Sequence, residues 1–362
     1  MTAEEFARPL LICGKSFPVD KQRTVHLPVG HLITHKMVEL TVHVRRGNKP
    51  GPRLLVTAAI HGDEINGVEV IRRLLMNKMP ELAGDLILIP IVNLPAFLAR
   101  SRYLPDRRDL NRLFPGSATG SFGARLAKLI TKDIAQSCTH GIDLHTGAVN
   151  RPNLPQIRFC PGVPGIEEMA IAFGVPVMIH SESPPGSFRE IFSALGKPQL
   201  MFEGGEAEIM EPASVSLALQ GIISVMEHLQ MLPPSNSTTP RSKPVLCRKT
   251  SWERAPRGGL LLPVMQLGEI VKRGMLLGEV GDPFSKKRTP IRATREGVII
   301  GRTRNAVIDE GDGIFHIGDI NESSSMQNNI DAAEAELDHS LNHQVFDDSK
   351  DVSMEDYSYS SN

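Results

Sequence analysis

From Leu54 onward the apolar positions fall into short runs that alternate with stretches of helical spacing. Leu54–Ile60, Leu86–Val92, Gly141–His145, Gln156–Cys160, Val175–His180 and Gln199–Glu203 read as strands. Between them, Ile65–Met76, Phe122–Ser137, Ile166–Phe173, Phe188–Leu195 and Pro212–Leu232 recur at helical spacing. Strands such as Leu86–Val92 are apolar at nearly every position, as burial on both faces requires. Pro90 inside that run predicts a bulge or an edge. The alternation predicts an α/β fold, a mostly parallel mixed sheet with helices on both faces. Upstream, Val38–Val44 alternates apolar with polar and reads as a half-buried strand at a sheet edge.

The polar, Pro-rich stretch 233–243 reads as a linker, which makes residues 1–232 one domain. Beyond it, 244–320 is written in Gly-punctuated short apolar runs and predicts a small all-β barrel or sandwich. Residues 321–362 are rich in Ser, Asn and acids, with only a weak helical pattern over Asp331–Leu341, and predict a disordered acidic tail. Charge balances to a formal -1, which gives no footing for nucleic acid or an anionic membrane surface. No apolar run approaches the ~20 residues that span a bilayer. Met1–Arg8 carries early acids and no long apolar segment, so no secretion signal is expected. Four scattered cysteines (Cys13, Cys138, Cys160, Cys247) predict reduced core thiols, and the whole reads as a cytoplasmic protein.

Candidate chemistry sits where strands end. His61 and Glu64 lie at the handover from Leu54–Ile60 to a helix, the end of a strand where open α/β sheets bind ligands. An imidazole and a carboxylate suit a borderline metal such as Zn²⁺, and Gly62 and Gly67 would let the backbone turn around them. Asp63 or Glu64 as a helix cap is the plain alternative. His145, ending a second buried strand, offers a third ligand and leaves a fourth position open for water. Asp143 shares its strand face and can fix the His145 tautomer. Alternatively His145 is a core histidine with its hydrogen bonds satisfied. His26, His31, His35 and His43 show no such clustering and read as surface or structural.

His61-Gly62-Asp63-Glu64 together with Asp143-Leu144-His145-Thr146-Gly147 resembles the succinylglutamate desuccinylase/aspartoacylase family, a branch of the zinc carboxypeptidase-like hydrolases. Ser101-Arg102-Tyr103, Asp109–Gly116 and Phe202-Glu203-Gly204-Gly205 fit it in the same order, over roughly Leu54 to Leu232. The resemblance implies a zinc carboxypeptidase-like fold, one Zn²⁺ per chain on His61, Glu64 and His145, and Glu203 as general base. It implies further that Arg102 stabilises the oxyanion and that Asn111 and Arg112 hold a substrate carboxylate. Glu206 competes with Glu203, and His180, Glu182 and Arg189 are further candidates for the pocket wall. The expected activity is removal of an acyl group from a small N-acyl amino acid. A carboxypeptidase acting on peptides and a non-catalytic binding module are the alternatives, and assembly into a homo-oligomer is left open. The segment 244–320 resembles half of a lipoyl-type domain, with Gly268–Gly278 as its hairpin. Lys286-Lys287 lacks the neighbours of a modified lysine, so the segment is expected to shade the site or mediate assembly.

Overall fold

The computed structural model describes residues 6, 8–79, 81–234 and 244–320. Most of the expected linker and the whole expected tail, including Asp331–Leu341, lie outside the described residues. The chain opens with a hairpin, β1 (Leu10–Ile12) and β2 (Lys15–Phe17), and a longer one, β3 (Gln22–His31) and β4 (Met37–Arg46). The α/β part follows as β5 (Lys49–Ala58), α1 (Asn66–Met76), β6 (Ala83–Ile89), the short α2 (Leu94–Leu98) and α3 (Phe122–Leu129). It continues through β7 (His140–Gly147), β8 (Asn153–Phe159), α4 (Ile166–Phe173), β9 (Val177–His180), α5 (Phe188–Ala194), β10 (Gln199–Glu206) and α6 (Pro212–His228).

The centre of the sheet is the parallel run β6-β5-β7-β10, with β8 antiparallel to β10 and β9 parallel to β8. Alternate residues feed two cores. Leu54, Val56 and Ala58 pack with α1, α4 and α6 on one face, while Leu55, Ile87 and Ile89 pack with α3 and α5 on the other. The α/β class with helices on both faces is therefore as expected.

Several boundaries differ. β5 stops at Ala58, not Ile60, because Ala59 takes a left-handed φ of 53° and turns the chain toward the site. β6 ends at Ile89, so Pro90 lies beyond the strand and marks neither a bulge nor an edge. The helix expected over Phe122–Ser137 runs on from α3 as a π turn at Ile130–Ile134 and a 3₁₀ turn at Ala135–Ser137. β4 lies between β3 and β6, so the sheet edge belongs to β3. Alternation reports a solvated face, and it carries no information on lateral position. Cys13 is exposed and Cys160 half-buried, so only Cys138 and Cys247 are core thiols, and all four are free.

Beyond 244 come β11 (Val245–Cys247), β12 (Thr250–Arg254), β13 (Gly259–Pro263), β14 (Ile270–Val271), β15 (Leu276–Gly281), β16 (Arg288–Arg292), β17 (Gly297–Arg302), β18 (Val307–Ile308) and β19 (Gly313–Gly318). β16-β15-β13-β18 form a sheet of their own, whereas β11 adds to β9 and β17 touches β8 at Gly301 and Asn153. The expected hairpin over Gly268–Gly278 is not one. β14 pairs with β17, and β15 pairs with β13 and β16, so the turn between them joins two sheets. No helix of the described residues is long and apolar enough to cross a membrane.

A buried ion triad ties the N-terminal hairpins to the sheet. Asp85 accepts from Arg46 Nε at 2.9 Å and Arg53 Nε at 2.8 Å, and Arg46 also donates to the carbonyls of Phe6, Arg8 and Phe17. Removing the shared carboxylate strands two guanidinium groups away from water. Asp85→Ala is expected to lower the unfolding free energy by about 3–5 kcal/mol, read from the urea midpoint at unchanged slope.

Candidate active site

The strand ends bring the sequence-predicted residues to one place. His61, Glu64 and His145 are 3, 2 and 3% exposed, and one donor atom of each lies within 4.8 Å of the others. Glu64 sits between the rings, with Oε1 2.7 Å from His61 Nδ1 and Oε2 2.7 Å from His145 Nδ1. The rest of each ring is held by an acid. Asp143 Oδ2 lies 2.7 Å from His145 Nε2, and Asp143 is itself fixed by Thr57 Oγ1 at 2.6 Å. Asp109 Oδ1 lies 3.2 Å from His61 Nε2.

Local backbone makes this possible. Gly62 and Gly67 serve by close approach, with no left-handed turn at either. A Cβ at Gly62 would fall 2.0 Å from the Ala96 carbonyl carbon, and one at Gly67 would fall 2.7 Å from Leu144 Cβ. Neither position has room for a side chain, so α1 and α2 seat tightly against the strand ends.

Charge is arranged for a cation. Burial alone would raise the Glu64 carboxyl, but the two histidines hold it well below the usual carboxylate range. Burial pulls His145 down, yet Asp143 and Glu64 push it well above an ordinary imidazole, and His61 is likewise raised by Glu64 and Asp109. Three carboxylates around two imidazoles thus favour positive charge in a buried site, which is what a divalent metal ion supplies. Nitrogen and oxygen donors of this kind fit such an ion.

His61, Glu64, Arg102, Asn111, Arg112, His145 and Glu203 all line a single cavity of about 260 Å³. Arg102 reaches Asp109 Oδ2 at 3.1 Å and stands 3.5 Å from Glu64 Oε1. Asn111 Oδ1 accepts the Phe188 N–H at 2.8 Å, which ties this loop to the start of α5. Glu203 Oε2 accepts from Asn153 Nδ2 at 2.8 Å and lies 3.1 Å from Arg158 Nε. Glu206 is not on that cavity. A register shift between Glu203 and Glu206 turns it aside, to accept the Asn150 N–H and the Arg304 guanidinium. Of the wall candidates Arg189 lines the cavity, while His180 and Glu182 do not. Arg189 is 4% exposed; its Nη2 donates to Ser181 Oγ and the Glu182 carbonyl, while its Nε and Nη1 have no hydrogen-bond partner among the described residues. Asp109, Asn153 and Arg158 escaped the sequence reading as site residues. Only Asp109 carried a local signal, two residues before Asn111, whose N–H it accepts at 2.8 Å.

A mixed α/β sheet with paired histidines and a carboxylate at its strand ends defines a class of hydrolases, and comparison with known proteins names the branch. Residues 50–229 match the succinylglutamate desuccinylase/aspartoacylase catalytic domain. The chain belongs to that family, and is therefore a hydrolase acting on amide bonds. It is 27% identical over 307 residues to the N-alpha-acetyl-L-2,4-diaminobutyric acid deacetylase of Halomonas elongata, across 79% of this chain and 87% of the relative. A succinylglutamate desuccinylase/aspartoacylase from Rhodobacter sphaeroides superposes with a TM-score of 0.76 at 24% identity, over 86% of this chain and 100% of that one. A succinylglutamate desuccinylase from Silicibacter sp. TM1040 gives 0.74 at 25% identity, over 87% and 99%. The non-catalytic module falls away with this assignment.

Asp109→Ala is expected to weaken divalent-metal affinity about 10–100-fold in a chelator competition, the usual effect of losing a ligand's outer partner.

Proposed function

We propose that this chain is a zinc-dependent deacylase that cleaves the amide bond of small N-acyl amino acids. The observation that carries the reading is the convergence of His61, Glu64 and His145 on one cavity with Glu203. Two imidazole nitrogens and one carboxylate form a catalytic rather than structural donor set for Zn²⁺, with a coordination position to spare. Zinc bound there supplies Lewis acidity, lowering the pKa of a water toward ~7 and polarising the scissile carbonyl.

The residues of the chain supply the rest. Glu203 takes the proton from the attacking water and returns it to the leaving amine. Arg102, locked between Asp109 and Glu64, offers its guanidinium to the oxyanion that develops at the carbonyl. Asn111 and Arg112 hold the substrate carboxylate. Glu206 has both carboxylate oxygens engaged away from the cavity, which favours Glu203 as the base.

The wall bears on which acyl amino acid is accepted. Arg112, Arg158 and Arg189 line the cavity, and apart from Glu64 its only carboxylate among the described residues is Glu203, already beside Arg158. The buried Arg189 guanidinium is only partly satisfied, with Nη2 donating to Ser181 Oγ and the Glu182 carbonyl and Nε and Nη1 left over, and an anion would relieve it. The Halomonas relative's substrate carries a side-chain amine, for which this wall offers no free acid among the described residues. A cavity of about 260 Å³ also suits a single acylated amino acid better than a peptide.

Glu203→Gln is expected to keep its metal while kcat falls by ~10²–10⁴, the usual contribution of a positioned base. In a panel of N-acyl amino acids, acidic side chains should exceed N-acetyl-2,4-diaminobutyrate in kcat/KM by at least about tenfold, and Arg189→Met should remove that margin. Short peptides cleaved in preference to the whole panel would instead support the carboxypeptidase.

A further inference from the structure

The loop between β7 and β8 leads from the strand of His145 to Asn153, the residue that donates to Glu203. Strands beyond residue 244 hold this loop at each step. The Arg304 N–H donates to the Asn150 carbonyl at 2.8 Å, and the Arg302 N–H to the Pro152 carbonyl at 3.3 Å. Glu206, 3% exposed, closes a clasp over the same stretch. Its Oε1 accepts the Asn150 N–H at 2.7 Å and its Oε2 the Arg304 guanidinium at 2.9 Å. The Arg151 guanidinium lies 5.6 Å from the Trp252 ring, which stacks on His316. At the loop's end Gly301 pairs with Asn153, and a methyl group on Gly301 would come 2.8 Å from Asn153 Oδ1. A side chain at Gly301 would therefore press on the amide whose Nδ2 donates to Glu203. Gln156, the other amide near Glu203, stands at 3.5 Å, the limit of a hydrogen bond.

We infer that Asn153 is a positioning residue for Glu203, and that the strands beyond 244 set it in place through Gly301 and the Arg304–Glu206 pair. The inference rests on Glu203 being the base. It gives these strands a share in the chemistry of the site, although none of their residues lines the cavity. A hydrogen bond to a carboxylate fixes the direction of its free oxygen, and a base that swings samples the attacking water less often.

The test uses the full chain, with variants matched for metal content and assayed on an N-acyl amino acid that the wild type cleaves. Asn153→Ala should lower kcat about ten- to a hundredfold, the range for a lost hydrogen bond to a charged group, with KM within about twofold. Arg304→Gln and Gly301→Ala should lower kcat in the same way, and Arg304→Lys, which keeps the ion pair, should restore it. If Asn153→Ala does not fold, Asn153→Asp decides, since it keeps the volume and replaces the donor by an acceptor. Wild-type kcat in the Asn153 variant overturns the inference. So does an equal loss in Arg304→Gln and Arg304→Lys, or a loss confined to KM. Glu203→Gln in the same assay separates the two readings. If it stays active the base assignment fails, and if it is dead while the Asn153 variant is unaffected only this inference fails.

Discussion

A carboxylate buried between two imidazoles is expensive to maintain unless something positive joins it. Glu64 lies 2.7 Å from a nitrogen of each histidine, and Asp143 and Asp109 face their far sides. The acids raise both histidines above an ordinary imidazole, and the histidines hold Glu64 below the usual carboxylate range. A metal ion bound here would have to displace protons from the rings, so its affinity would rise with pH.

Much of the fold exists to hold that arrangement. The left-handed Ala59 ends β5 at the point where His61 can turn inward, and Gly62 and Gly67 let two helices press against the strand ends. Parallel pairing of β5, β7 and β10 then sets the three strands' carboxyl ends side by side, with Glu203 registered against His145. Ligands from residues far apart in the chain meet because strand register brings them together. Rigid strands also suit a site whose geometry must be kept within a fraction of an ångström.

The alternation of apolar strands and amphipathic helices was enough to read the α/β class, since burial on two faces leaves a direct mark on composition. The candidate metal cluster was legible because His61 and Glu64 share one turn and His145 and Asp143 share one strand face. What escaped depends on contacts that no local spacing records. Asn153 and Arg158 belong to the site only because β8 lies antiparallel to β10. The strands beyond 244 read as a separate unit, yet β11 extends the central sheet at β9 and Arg304 reaches Glu206. Glycine and proline punctuation signals turns between strands, and it is silent on which sheet each strand joins. That is also why Gly268–Gly278 looked like a hairpin.

On the proposed mechanism, amide hydrolysis by this chain depends on one metal ion held by His61, Glu64 and His145. The most direct measurement is to strip the purified protein with a chelator, remove the chelator, and titrate Zn²⁺ back while following release of the free amine from an N-acyl amino acid. Activity should be lost on stripping and return in proportion to added zinc, with an endpoint at one ion per chain. Hydrolysis that survives complete metal removal, or zinc that binds with no return of activity, would contradict it.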